Sequence, residues 1–136
     1  MNNKNSFKTI IIALLVLLSV LSCKKDEPDV VVDDRDAFVG TWNVSDNQIT
    51  KANYQVRIYK DENNSEKVWL INFHGVIDTA FAYISTKTIN ISQQVIGSTQ
   101  LSTAGSGLMN GTTRIDLEYY ISDGAQQDTI TAQYSK

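Results

Sequence analysis

From Ala37 onward the apolar residues recur with a period of two, and no stretch carries the i, i+3, i+4 stripe of an amphipathic helix. A chain patterned this way can only build sheet. Phe38–Val44 reads as a first strand, followed by turn residues at Asp46-Asn47. Tyr54, Val56 and Ile58 alternate with Gln55, Arg57 and Tyr59, as in a strand with one buried face. Asp61 to Ser65 is a polar loop, and Val68–Phe73 is a third strand closed by His74-Gly75. Further strands are expected at Ile77–Ile84, Ile89–Ile96, Leu101–Met109, Thr112–Ile121 and Thr129–Tyr134. Asn110-Gly111 predicts a type I′ hairpin turn, which needs two residues tolerant of positive φ. No connection is long enough for a crossover helix, so neighbouring strands must run antiparallel. The expected fold is all-β: a small eight-stranded antiparallel meander barrel, with a two-sheet sandwich as second choice. Closure is favoured because it removes the exposed edges of the first and last strands.

The segment before Ala37 has another character. Lys4 and Lys8 precede an apolar run from Ile10 to Leu21, interrupted only by Ser19. Such a run falls short of the ~20 residues a membrane-spanning helix needs and fits the apolar core of a signal peptide. It stops at Val20-Leu21-Ser22-Cys23, which reads as a bacterial lipobox with Cys23, the only cysteine, as lipidation site. The chain therefore divides into a lipoprotein signal peptide (1–22), a lipidated Cys23 with a flexible tether (23–36) and a folded domain (37–136). One acyl chain holds a protein only reversibly, so the several chains of a lipidated N-terminal cysteine are needed for lasting attachment. Once Lys4 and Lys8 are removed, ten basic residues face fifteen acids. That balance argues against nucleic acid as a partner. The expected partners are the membrane, through Cys23, and a small apolar ligand or an envelope protein.

Two resemblances refine these expectations. Lys24-Lys25-Asp26-Glu27, directly after the cysteine, resembles the export signal of surface lipoproteins in Bacteroidetes-type bacteria. It implies an outer-membrane, surface-exposed location. Gly40-Thr41-Trp42 resembles the Gly-x-Trp start of lipocalins, and more closely that of the lipocalin-like domains carried by Bacteroidetes-type lipoproteins. Gly105-Ser106-Gly107, Asn110-Gly111, Asp123-Gly124 and Asp128-Thr129 resemble the last hairpins of those domains. The resemblance implies that Trp42 closes the barrel floor beneath a basic side chain from a late strand. The last strand has no arginine, so Arg114 or Arg57 is expected to substitute.

No catalytic constellation stands out, and the chain is read as non-enzymatic. His74 is the sole histidine and is expected at the surface or a strand end; no serine sits in a nucleophile elbow. With one imidazole and a lipidated thiol, zinc has no ligand set. Asp61, Asn63, Ser65 and Glu66 suggest a calcium loop, but that pattern requires Gly at position 66 and Glu at position 72, where the chain has Glu66 and Asn72. No metal and no cofactor is expected. Asp116 and Glu118 share a strand face opposite Ile115, Leu117 and Tyr119, as acids facing water do.

The third strand is unusual in being apolar on both faces, with Trp69, Ile71 and Phe73 on one and Val68 and Leu70 on the other. One face should line the barrel and the other needs a cover, for which the Val30-Val31-Val32 stretch, a partner or a ligand are candidates. A chain this short predicts a narrow, mostly filled interior. The candidate ligand-binding residues are Trp69, Phe73, Phe81, Tyr83 and Tyr119. The alternative is a structural or protein-interaction module with a filled barrel.

Overall fold

The structure, a computed structural model, describes residues 32–48 and 53–136. The apolar leader, Cys23, Lys24 to Glu27, Val30 and Val31 lie outside the described residues. Eight strands form a closed antiparallel meander: β1 Gly40–Asp46, β2 Tyr54–Lys60, β3 Lys67–Phe73, β4 Asp78–Ser85, β5 Thr88–Ile96, β6 Leu101–Asn110, β7 Arg114–Ser122 and β8 Gln127–Ser135. Each strand pairs with the next in sequence, and β8 returns to β1 with Val44 opposite Tyr134 and Asp46 opposite Ala132. The expected barrel is thus the observed one. Alternation supplies its core, with every strand sending alternate side chains inward, among them Trp42, Val56, Leu70, Ala82, Ile91, Met109, Leu117 and Ile130.

Parity alone does not settle which residues face inward. In β3, Val68 and Leu70 point in while Trp69 and Ile71 point out. Phe73 should then point out as well, yet it is fully buried. The register shifts between Ile71 and Phe73, where Asn72 takes φ +61°. This bulge inserts one residue and moves Phe73 to the inner face. The Asn72 side chain holds it, donating to the Gln55 carbonyl at 2.8 Å and accepting from the Ile77 amide at 2.9 Å.

The ladder between β4 and β5 is short, running only from Tyr83–Asn90 to Ser85–Thr88. Beyond it, side chains take over. The Gln94 amide accepts from Phe81 N at 2.9 Å and donates to Phe81 O at 2.7 Å, imitating a peptide partner. Asp78 accepts from the backbone amides of Ser98 and Thr99, which holds its carboxyl below the usual carboxylate range.

The turn at Asn110-Gly111 is a three-residue loop, not a two-residue type I′ turn. Asn110 pairs with Arg114, and only Gly111 has positive φ.

The folded unit also begins earlier than Ala37. A short 3-10 helix, Asp34–Ala37, is capped by Asp33, whose side chain accepts from Arg35 N. Arg35 is buried; its Nη1 donates to the carbonyls of Asp61, Asn64 and Lys67, closing the β2–β3 loop, and its Nε and Nη2 donate to Asp33. Lys60 pairs with Asp33 and Asp36. Asp33 to Asp36, read from sequence as tether, is therefore part of the barrel's lower end. A buried guanidinium satisfying three carbonyls has no signature in local hydropathy, which explains the misreading.

Candidate functional site

One end of the barrel is a floor. Trp42 is fully buried and its Nε1 donates to the Phe38 carbonyl at 2.7 Å. Above its ring, at 4.2 Å from the centroid, lies the ammonium of Lys136, which also donates to Val39 O at 2.8 Å. Neither Arg114 nor Arg57 takes this place: Arg114 is exposed and pairs with Asp116, and Arg57 is exposed on the outer wall. The cation comes from just past the last strand. Gly40 explains the small residue of the motif, since it has φ +130° and a Cβ there would press on the Lys136 side chain at 3.3 Å. Burial pushes the Lys136 ammonium below its ordinary pKa.

Polar tips gather inside the barrel above the floor. Tyr54, Val44 and Tyr134 lie in one row across β2, β1 and β8. The Tyr54 hydroxyl donates to Asp46 Oδ2 at 2.9 Å. On β7, the Tyr119 hydroxyl meets His74 Nδ1 at 2.9 Å, and its ring packs on Phe73 with centroids 4.7 Å apart. Tyr134 is buried, and its hydroxyl has no hydrogen-bond partner among the described residues. Burial raises all three phenols above their ordinary pKa; for Tyr54 and Tyr134 a neighbouring tyrosine adds to it, and Asp46 acts on all three. They stay protonated across the physiological range. Burial pushes the His74 imidazole the other way, below its ordinary value, with Asp46 opposing. His74 thus stands at a strand end, directly after β3 as expected, as a half-buried neutral ring turned onto Tyr119.

The five residues expected to line one pocket separate into two groups. Phe73 and Tyr119 belong to the interior cluster. Trp69, Phe81 and Tyr83 stand on the outer wall as an edge-to-face ladder, with centroids 6.1 and 6.0 Å apart. Lys67 lies over Trp69 and Phe81, and Trp69 Nε1 donates to Asp61 Oδ2 at 2.7 Å. Tyr59 extends the row, opposite Trp69. Inside β4, the small Ala80 and Ala82 face Leu70 and Val68, so the large side chains are left outside. Side-chain size gave no clue to this, because β3 and β4 are apolar on both faces. In the loop, Asp61 has both oxygens engaged by Trp69 Nε1 and Asn63 N. Tyr54, Tyr134, His74 and Asp46 were not foreseen together. The legible signal was tyrosine recurring at inward positions of β2, β7 and β8.

On β6, Gly105 and Gly107 lie opposite the inward-facing Tyr119 and Leu117, and β7 approaches them closely. A Cβ on Gly105 would overlap Glu118 O and Tyr119 Cβ. One shallow groove there, of about 430 Å³, is lined by Ser106, Leu108, Asp116, Glu118 and Thr131. Asp116 is held by Arg114 at 2.8 Å and by Asn110.

No family model and no curated protein matches the chain. Solved structures do. EF1p2_mFAP2b bound to DFHBI is similar with a TM-score of 0.56 at 14% identity, over 77% of this chain and 99% of that chain. A redesigned β-barrel, b11L5F_LGL, is similar with a TM-score of 0.54 at 12% identity, over 78% of this chain and 96% of that chain. At such identities the likeness is one of fold, a small closed β-barrel.

Proposed function

We propose that this protein is a lipid-anchored, outer-membrane barrel of lipocalin-like type that binds a small, largely apolar molecule without transforming it. The observation that carries the binding reading is the buried Tyr134 hydroxyl, unpartnered inside a barrel beside Tyr54, Tyr119 and Asp46. A buried polar group without a partner costs about 1–3 kcal/mol, which a bound molecule can recover. That a barrel of similar fold holds DFHBI supports the reading. The non-catalytic part rests on the chemistry at His74. Its Nδ1 is engaged by Tyr119, and no serine or cysteine nucleophile joins it in the cluster described.

Anchoring rests on the lipobox. Nine residues, Lys24 to Val32, separate Cys23 from Asp33 and span at most about 32 Å. Cys23→Ser should move the protein from the membrane to the soluble fraction; retention of the variant on membranes would overturn the lipid anchor. Native mass spectrometry of the protein from its own host should show a retained small molecule, and repeated recovery of bare protein would overturn the binding reading.

The outer-wall ladder of the exposed Tyr59 and the half-buried Trp69, Phe81 and Tyr83 favours a second reading, a protein-interaction module. Under it, Trp69→Ser would abolish association with an envelope partner while leaving ligand content unchanged.

A further inference from the structure

Three phenols share the barrel interior, and two have their hydrogen bonds assigned. Tyr54 donates to Asp46, and Tyr119 is engaged with His74. Tyr134 is the exception. Its ring lies between Val44 and Ile115, both fully buried and apolar, so its strand neighbours offer the hydroxyl nothing. Native proteins leave few buried hydroxyls orphaned, and each calls for an explanation. The phenol keeps its proton, so what it lacks is an acceptor. The surroundings then set the rest: Val44 and Ile115 flank the phenol, and the Tyr54 and Tyr119 hydroxyls already have partners, which suits a molecule with one free acceptor and an apolar body.

Resting on the ligand-binding reading, we infer that Tyr134 is its polar subsite. Its hydroxyl donates to one uncharged acceptor oxygen or nitrogen, such as a carbonyl or ether, carried by a small apolar ligand entering past Tyr54. An anion is disfavoured, because the groups that act on Tyr134 among the described residues are a phenol, Tyr119, and a carboxyl, Asp46. A resident water is the competing occupant; it would need two or more polar partners within reach.

The test uses the purified protein and two probes of similar size, cyclohexanone and toluene. Both should raise its melting temperature. Tyr134→Phe should weaken cyclohexanone about tenfold, the size of one hydrogen bond, and leave toluene unchanged. The variant alone should be as stable as the parent or more so, because it deletes an orphan. In parent protein labelled at tyrosine Cζ, cyclohexanone should shift Tyr134 more than Tyr54; this readout stands even if the variant folds poorly. Equal loss of both probes, or a Tyr134 signal that cyclohexanone does not move, would overturn the subsite. So would a destabilised variant that binds cyclohexanone like the parent, which would mark a structural water. A host-derived ligand retained equally by parent and variant overturns the subsite but leaves the binding barrel standing. Absence of any ligand together with silence to both probes overturns both.

Discussion

Lys136 shows how one side chain can finish a fold. Its ammonium satisfies the Val39 carbonyl and covers Trp42, contacts that no strand residue supplies. Lys136→Ala should lower stability by about 1–2 kcal/mol, the sum expected for a charged hydrogen bond and a partly desolvated cation–π contact. The urea midpoint should fall with an unchanged slope. Arg35 does the same for the β2–β3 loop. Arg35→Ala removes the shared Nη1 donor from the carbonyls of Asp61, Asn64 and Lys67, the last two keeping a backbone donor, and breaks the pairing with Asp33; it should cost about 2–3 kcal/mol. Its partner Asp33 is held far below the usual carboxylate range by hydrogen bonds from Arg35, then Lys60. A carboxylate depressed in the folded state contributes stability that is present above its unfolded pKa and lost as pH falls. Asp33→Asn should therefore weaken the protein at neutral pH, with the deficit shrinking as pH falls below about 4, as urea titrations across that range would show.

Among the elements, β6 carries the sharpest steric requirement. Gly105 sits opposite Tyr119, and a methyl group there would collide with the backbone of β7. Gly105→Ala should cost about 1–3 kcal/mol, as overpacking does, even though alanine is ordinarily the better-ordered residue. Gly111→Ala is a contrasting control. Nothing crowds it, and its φ of +67° alone should cost about 1–2 kcal/mol. Unchanged melting of the Gly105 variant would mean that β6 and β7 can separate freely there. Strand positions were legible to within a residue or two, because turns and alternation are local. The bulge at Asn72 was not. It depends on Gln55 and Ile77 holding the Asn72 side chain, one 17 residues away in sequence.

For the molecule as a whole, closure between β1 and β8 creates both the floor and the tyrosine row, since each needs residues from opposite ends of the chain. Stability should follow pH accordingly. Burial depresses the His74 imidazole, so its contribution is present above the unfolded value near 6.5 and declines as pH falls through the folded one. His74→Gln should flatten the profile just below about pH 6.5, leaving the steeper loss below about pH 4 that Asp33, Asp61, Asp78, Asp116 and Asp123 cause. A histidine variant with the parent's slope would place the ring in water. The sequence by itself determined the eight strands and their antiparallel order, and favoured the closed barrel over a two-sheet sandwich, because period-two patterning and short turns leave few alternatives. It also marked Cys23 and the Gly40–Trp42 floor motif. Only the tertiary structure decided which apolar face turned inward, which cation covers Trp42, and that Tyr54, Tyr119, Tyr134, His74 and Asp46 share one space. The reason is physical: alternation defines two faces without saying which is inside, and partners across a closed sheet are chosen by register and volume, which no local window contains.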